Sequence, residues 1–414
     1  MDRIDAPPHR TPTAIRCRLN RGLRLTLLAA AALSAIPCGA APASAARTER
    51  GLVILVEFPD VPHRVQRGAV AERFNRDLAA YVREMSHGTV DLSVDLTPRW
   101  HRLPSPVGDY RISSRNLEVD HGRIRKLIDD SLAAVEGEVD FSRYSFTAVL
   151  MGARLQDYGM IGLCGYPGML GWSERDALRT RGGQRVPGGV AIFSFQAHLG
   201  TLFHDIAHVL GGVADGKRRV PCLYDHDLQA RPGPQRETFV DAAVNMGFWD
   251  PMSCHFIRWE TPPPGISSWT RLRLGWLDTS RVRTVARGET AEVLLGPLED
   301  GSSPVLAVRI PLSDSTFYLV ENRQPLGFDR SLPGSGVLVM YADDRVAECR
   351  HGQAPVKLAA ADPSRPRLEG AAFTPGPRDT FRDEARGVSV RVREAAGATY
   401  RLTVVNGSAG GERP

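Results

Sequence analysis

Gly188-Gly-Val-Ala-Ile-Phe-Ser-Phe195 and, a short step later, Leu202-Phe-His-Asp-Ile-Ala-His-Val-Leu-Gly-Gly212 decide how this chain is read. The first is an apolar run bounded by glycines, the pattern of a buried strand. The second has helical composition and stops at a glycine pair. Leu202, Phe203, Ile206, Ala207, Val209 and Leu210 surround the polar residues, so the helix is predicted to be buried. His204 and His208 stand one turn apart on one face. That spacing lets two imidazoles hold one zinc ion. Two buried histidines otherwise need hydrogen-bond partners from the core.

On both sides of this pair, strands and helices alternate. Arg50 to Phe58 reads as a buried first strand, residues 69–86 as a helix, and Val90 to Leu96 as a half-buried strand. Residues 117–135 read as a helix and Ser145 to Met151 as a strand. After Ser280 the pattern becomes short strands with turns: Ala291–Leu295, Val305–Ile310, Phe317–Val320, Val337–Tyr341, Val388–Val392 and Tyr400–Val405. The expectation is an α/β domain over 46–280 followed by an all-β, sandwich-like domain over 281–414. Pro363 to Asp383, rich in Pro, Arg and Asp, reads as an exposed loop.

The first residues read as a targeting segment. Six arginines precede an apolar run from Leu25 to Ile36, too short to span a bilayer, and Ala43-Ser-Ala45 offers small residues for cleavage. A signal peptide over 1–45 implies a secreted protein with no membrane association after cleavage. A lipoprotein reading would use Cys38, which Pro37 makes a poor fit. The formal charge of +5 falls to about +1 once six Arg, Asp2 and Asp5 leave with that segment, giving no reason to expect a nucleic-acid partner. Cys164, Cys222, Cys254 and Cys349 remain, an even number that suggests two disulfides outside the cytoplasm.

Several motifs, in order, resemble the M6 family of metallopeptidases, the immune inhibitor A type. Leu52-Val-Ile-Leu-Val-Glu-Phe-Pro-Asp60 is similar to its first strand. Tyr81-Val-Arg-Glu-Met-Ser-His-Gly88 with Val90-Asp-Leu-Ser93, and Val139-Asp-Phe-Ser-Arg-Tyr144, match later segments. Trp249-Asp-Pro-Met-Ser253 looks like the Met-turn beneath the zinc, with Met252 a packing residue. Ser268-Trp-Thr-Arg-Leu-Arg-Leu-Gly-Trp-Leu277, Tyr318-Leu-Val-Glu-Asn-Arg-Gln324 and Asp329 to Gly336 resemble the motifs behind it.

The resemblance implies a metzincin-like fold, one catalytic zinc ion and endopeptidase activity on a protein or peptide. His204 and His208 map onto the first two ligands. Asp205 maps onto a catalytic glutamate that takes a proton from water and returns it to the leaving amine. The strand Gly188–Phe195 would pair with an extended substrate. The family's third ligand falls on Ala214, which cannot bind metal, so Asp215 is the candidate. Alternatively residues 212–220 are an insertion, and Pro221-Cys-Leu-Tyr-Asp225 supplies Cys222; Asp225 and His226 are further choices. Asp225 and Asp227 could contribute to a calcium site, but no ligand loop is legible.

Two other functions fit the same residues. Asp in place of Glu and the displaced third ligand suit a secreted binding module that has lost peptidase activity. His204-Asp205 also resembles the metal-binding pair of HD-type phosphohydrolases, whose fold is wholly helical.

Overall fold

The computed structural model describes residues 46–111, 120–158, 178–214, 217–225, 245–350 and 353–407. Strand β1 (Arg47–Glu57) is buried without interruption from Gly51 to Glu57. A continuous apolar run is what a strand covered on both faces requires. β1 lies inside a parallel sheet of order β2-β1-β4-β5, with β2 (Val90–Leu96), β3 (His101–Arg102) beside β1, β4 (Phe146–Met151) and β5 (Val190–Ser194).

The pleat divides β1 between two cores. Leu52, Ile54 and Val56 pack with Ile124, Leu127, Ile128 and Leu132 of one helix. Val53 and Leu55 face the opposite layer. That layer begins with α1 (Arg67–Glu72), a π-helical stretch Arg73–Leu78, and α2 (Ala79–Met85), end to end in helical backbone. The helix on the other face is α3 (His121–Val135), started by the Asp120 side chain accepting from Arg123 N. After a single turn, α4 (Leu155–Tyr158), the chain returns through β5 to α5 (Leu199–Gly211), in the same layer as α1 and α2. Arg73, in the π-helical stretch, ties this return by donating to the carbonyls of Phe195 and Ala197.

Past α5 the chain makes a small hairpin, β6 (Val213–Ala214) and β7 (Lys217–Arg218), and later α6 (Ser268–Leu274). The remaining strands are β8 (Val282–Thr284), β9 (Glu289–Leu295), β10 (Ala307–Pro311), β11 (Thr316–Arg323), β12 (Gly336–Asp343), β13 (Val356–Leu358), β14 (Thr380–Asp383), β15 (Val388–Ala396) and β16 (Thr399–Asn406). They form two sheets, β13-β12-β11-β10-β8 and β14-β15-β16-β9, antiparallel except for β8 with β10.

Val308, Val320, Val337 and Val339 of the first sheet meet Val390, Leu402 and Val404 of the second. This is the sandwich the alternating sequence predicts. The outer face of the first sheet is not solvated: Phe317, Leu319, Leu338 and Met340 join the core that holds Phe74, Leu202 and Phe203. β11 is therefore buried at all eight residues. The change of composition near residue 280 marks a change of layer, and Ser44–Pro414 is one compact unit.

That double burial carries a charged cluster. Arg323 is fully buried and pairs with Asp329 at 2.6 Å, Glu321 at 3.1 Å and Glu299 at 3.1 Å. Burial pushes the Glu299 carboxyl well up, and the Asp329 charge reinforces it. Burial opposes ionisation of Asp329 as well, but the Arg323 charge holds that group below the ordinary carboxylate range. Arg323 and the nearby Arg271 supply the positive charge that this buried acidic cluster requires.

Two expectations need correction. Pro363 to Asp383 is not simply an exposed loop, because Ala371 and Phe373 are buried and Thr380–Asp383 is β14. Cys222, Cys254 and Cys349 are free thiols, so two disulfides do not form; Cys164 lies outside the described residues. The expected signal peptide also lies outside them. Among the described residues, no helix is long and apolar enough to cross a membrane.

Candidate metal centre

α5 begins a turn earlier than its composition suggests. His198 caps it, with Nδ1 accepting from Gly200 N at 3.0 Å and Nε2 donating to Thr261 O at 2.8 Å. Gly200 fits where nothing larger can, since a Cβ there would overlap the His255 carbonyl oxygen. At the far end Gly212 has φ 66° and ψ −161°, and its N–H donates to His208 O and Val209 O. This is backbone that glycine alone adopts freely. Every residue from Gly200 to Val209 is buried.

His204 and His208 turn their Nε2 atoms toward each other, 3.0 Å apart. Their Nδ1 atoms point the other way, to Pro251 O at 2.9 Å and Val220 O at 2.5 Å. A carbonyl only accepts, so each Nδ1 carries the proton and each neutral Nε2 presents a lone pair. Lone pairs this close repel unless a proton or cation lies between them. Cys222 Sγ completes the group at 3.5 Å from His204 Nε2 and 3.3 Å from His208 Nε2. These three buried residues can hold a metal ion.

The backbone explains why Cys222 is there. Arg219 N bonds to Gly212 O across the β6–β7 hairpin, returning the chain to the end of α5. Gly211 packs against Val220, whose carbonyl orients His208. The hairpin occupies the region read as a possible insertion. Ala214 lies in it, while Asp215 falls outside the described residues. Asp225 accepts from Asn245 Nδ2 at 3.4 Å and is not in the group. His226 and Asp227 lie outside the described residues.

Asp205 is only 1 % exposed. Among the described residues its buried Oδ2 has no hydrogen-bond partner. Burial raises its carboxyl well above the usual range, against the pull of Arg218. Burial also pushes the Cys222 thiol up to about 12, with Arg218 and Tyr224 acting in the opposite sense. A cation at the three ligands would reverse both tendencies.

Met252 is fully buried, and its carbonyl accepts from Leu223 N at 2.7 Å, joining the turn to the Cys222 segment. The turn is held by Asp250, whose Oδ1 accepts from Met252 N at 2.8 Å. Its Oδ2 accepts from Ser267 Oγ and Thr270 Oγ1, both at 2.6 Å, at the start of α6. Arg323 donates to Trp249 O at 2.9 Å and Gly265 O at 2.8 Å, and Glu321 accepts from Ser268 N at 2.6 Å. The three motifs quoted from residues 249, 268 and 318 onward thus meet in one hydrogen-bonded floor.

Two neighbours escaped the sequence reading. His255 lies with its ring 4.2 Å from that of His204, its Nδ1 3.1 Å from Thr201 Oγ1 and its buried Nε2 without a partner among the described residues. Tyr224 stacks on His204 at 5.7 Å. Neither has a spacing signal, because each reaches the site through the fold of a loop. β5, expected to pair with substrate, is an edge strand among the described residues, but all five of its residues are buried. No protein-family model matches this chain, and no curated protein matches it either.

Proposed function

We propose that this protein is a secreted zinc endopeptidase of the M6-like type, with His204, His208 and Cys222 as the metal ligands and Asp205 as the proton carrier. The observation that carries this reading is the pair of inward-facing Nε2 atoms beside a thiol, with an unpartnered carboxylate oxygen on the same helix. Two imidazoles and a thiolate suit zinc, and a three-ligand set leaves a position for substrate. When bound, zinc supplies Lewis acidity and brings the pKa of water down to about 7.

The chain's own groups do the rest. Pro251 and Val220 hold the imidazole tautomers. Asp205 accepts a proton from the attacking water and delivers it to the leaving amine. Arg218 favours the ionised carboxylate that this step begins from. Asp is one methylene shorter than Glu, so the reach of this side chain sets the rate.

Full-length mature protein is expected to digest casein and to carry one zinc ion per chain by mass spectrometry. A chelator and His208→Ala should each abolish digestion. Digestion that survives both sinks the proposal. A second reading rests on the buried, proton-retaining Asp205: a metal-holding binding module without turnover. It requires zinc in the chain with casein untouched by both the wild type and Asp205→Glu. The parallel sheet disfavours the phosphohydrolase reading, for which activity on phosphate esters is the test.

A further inference from the structure

A cavity of about 520 Å³ opens where β5 hands the chain on to α5. Gln196, Ala197, His198 and Leu199 form one wall, and Arg73, Asp77 and Ala80 of the helical layer form another. Trp259 and Pro262 close it. A neighbouring cavity of about 530 Å³ shares Thr261, Pro262 and Phe328 with it, so the two make one trough. Trp259 is 45 % exposed, and no other tryptophan among the described residues is so open. It is nevertheless held in place. Its ring meets Phe256 edge-on at 5.3 Å and His198 at 5.8 Å. Its turn is closed by Thr261 N donating to Arg258 O at 3.2 Å, and is tied to the start of α5 by His198 Nε2 donating to Thr261 O. A fixed indole with nearly half its surface open is a ready platform for an apolar partner.

The polar lining is largely spent on the walls themselves. Arg73 donates to Phe195 O and Ala197 O, Arg76 pairs with Asp77 at 2.8 Å, and Gln196 accepts from Leu155 N at 3.1 Å. Formal charge also balances. Arg73 and Arg76 line the first cavity with Asp77 and Glu260, and Arg330 lines the second with Glu84. A balanced wall favours a neutral occupant over an acidic or a basic one. The trough adjoins the metal centre through one peptide link. The His255 ring lies 4.2 Å from His204, and that of the next residue, Phe256, lies 4.5 Å from His198. His198 precedes His204 along the helix by about 9 Å, roughly two to three residues of extended peptide. We infer that this trough is a subsite for an aromatic, uncharged side chain of a peptide, seated on Trp259 two or three residues from the bond to be cut. The inference deepens the peptidase reading and rests on it for its meaning but not for its binding test.

The test is binding, read apart from cleavage. Fluorescence anisotropy would compare labelled Gly/Ser octapeptides carrying one central Phe, Ala, Lys or Glu against the full mature chain, or against His208→Ala where mass spectrometry shows a peptide being cut. The Phe peptide is expected to bind about tenfold more tightly than the Ala peptide, with the Lys and Glu peptides no tighter than Ala. The preference should persist at about 500 mM salt, vanish in Trp259→Ala and return in part in Trp259→Phe. Zinc content and circular dichroism of both variants should match the wild type, because nearly half of Trp259 lies outside the core. Equal affinity for the Phe and Ala peptides, tighter binding of a charged peptide, or a Phe preference that survives Trp259→Ala overturns the subsite. Trp259-dependent binding to phosphatidylcholine vesicles overturns it too, by assigning the open indole to a lipid surface. Where casein is digested, the cuts should fall two or three residues from Phe, Tyr or Trp, and Trp259→Ala should raise KM with little change in kcat. Cuts indifferent to aromatic residues overturn the placement. A Phe preference intact in a chain that leaves casein whole would fault the peptidase reading alone.

Discussion

Removing the Cys222 sulfur leaves two imidazoles, a set that holds zinc far less firmly than one with a thiolate. Cys222→Ala is expected to weaken zinc binding at least roughly 100-fold, measured by competition with a chromophoric chelator, while circular dichroism stays native. Unchanged affinity would remove Cys222 from the ligand set. His87 gives a different single-residue test. Burial, then the nearby Arg271, lowers its imidazole to about 4. The unfolded chain, near 6.5, binds that proton more tightly, so stability falls as pH drops through this window. Melting temperature should decline between about pH 6.5 and 4, with a loss on the order of 1 kcal/mol, and His87→Gln should flatten that slope.

At the scale of elements, Gly200 decides how closely α5 approaches the His255 segment. Gly200→Ala is expected to cost roughly 1–3 kcal/mol by overpacking, and to lower metal affinity because the first turn of α5 must shift. Denaturant titration and zinc binding would check both. The same helix shows how far sequence carries. Its two histidines were legible because spacing and apolar surroundings are local properties. Cys222 was one choice among several, because a hairpin of unpredictable length brings it to His208. β1, β2, β4 and β5 were legible from their apolar runs. β14, Thr380-Phe-Arg-Asp383, was not, since its polar residues pair at a sheet edge without any apolar period. The π-helical stretch leaves no sequence signal that separates it from α1 and α2.

For the whole molecule, the charged cluster at Arg323 joins the layers. Arg323→Met leaves Asp329 and Glu321 buried without their cation and is expected to cost about 3–5 kcal/mol. Because the layers share one core, calorimetry should show a single transition at lower temperature, not the loss of one layer. Two separate transitions would contradict the shared core.

β11 also fixes an order of events during synthesis. The ligand helix leaves the ribosome well before Glu321, Arg323 and Asp329, whose contacts hold the floor beneath it. Leu358 N then bonds to Asn245 O, and Trp249 donates its indole N–H to Leu368 O at 2.8 Å. A nascent chain stopped near residue 300 carries His204, His208 and Cys222 and no finished floor. The His204, His208 and Cys222 group is therefore seated on its complete floor only when translation is nearly finished.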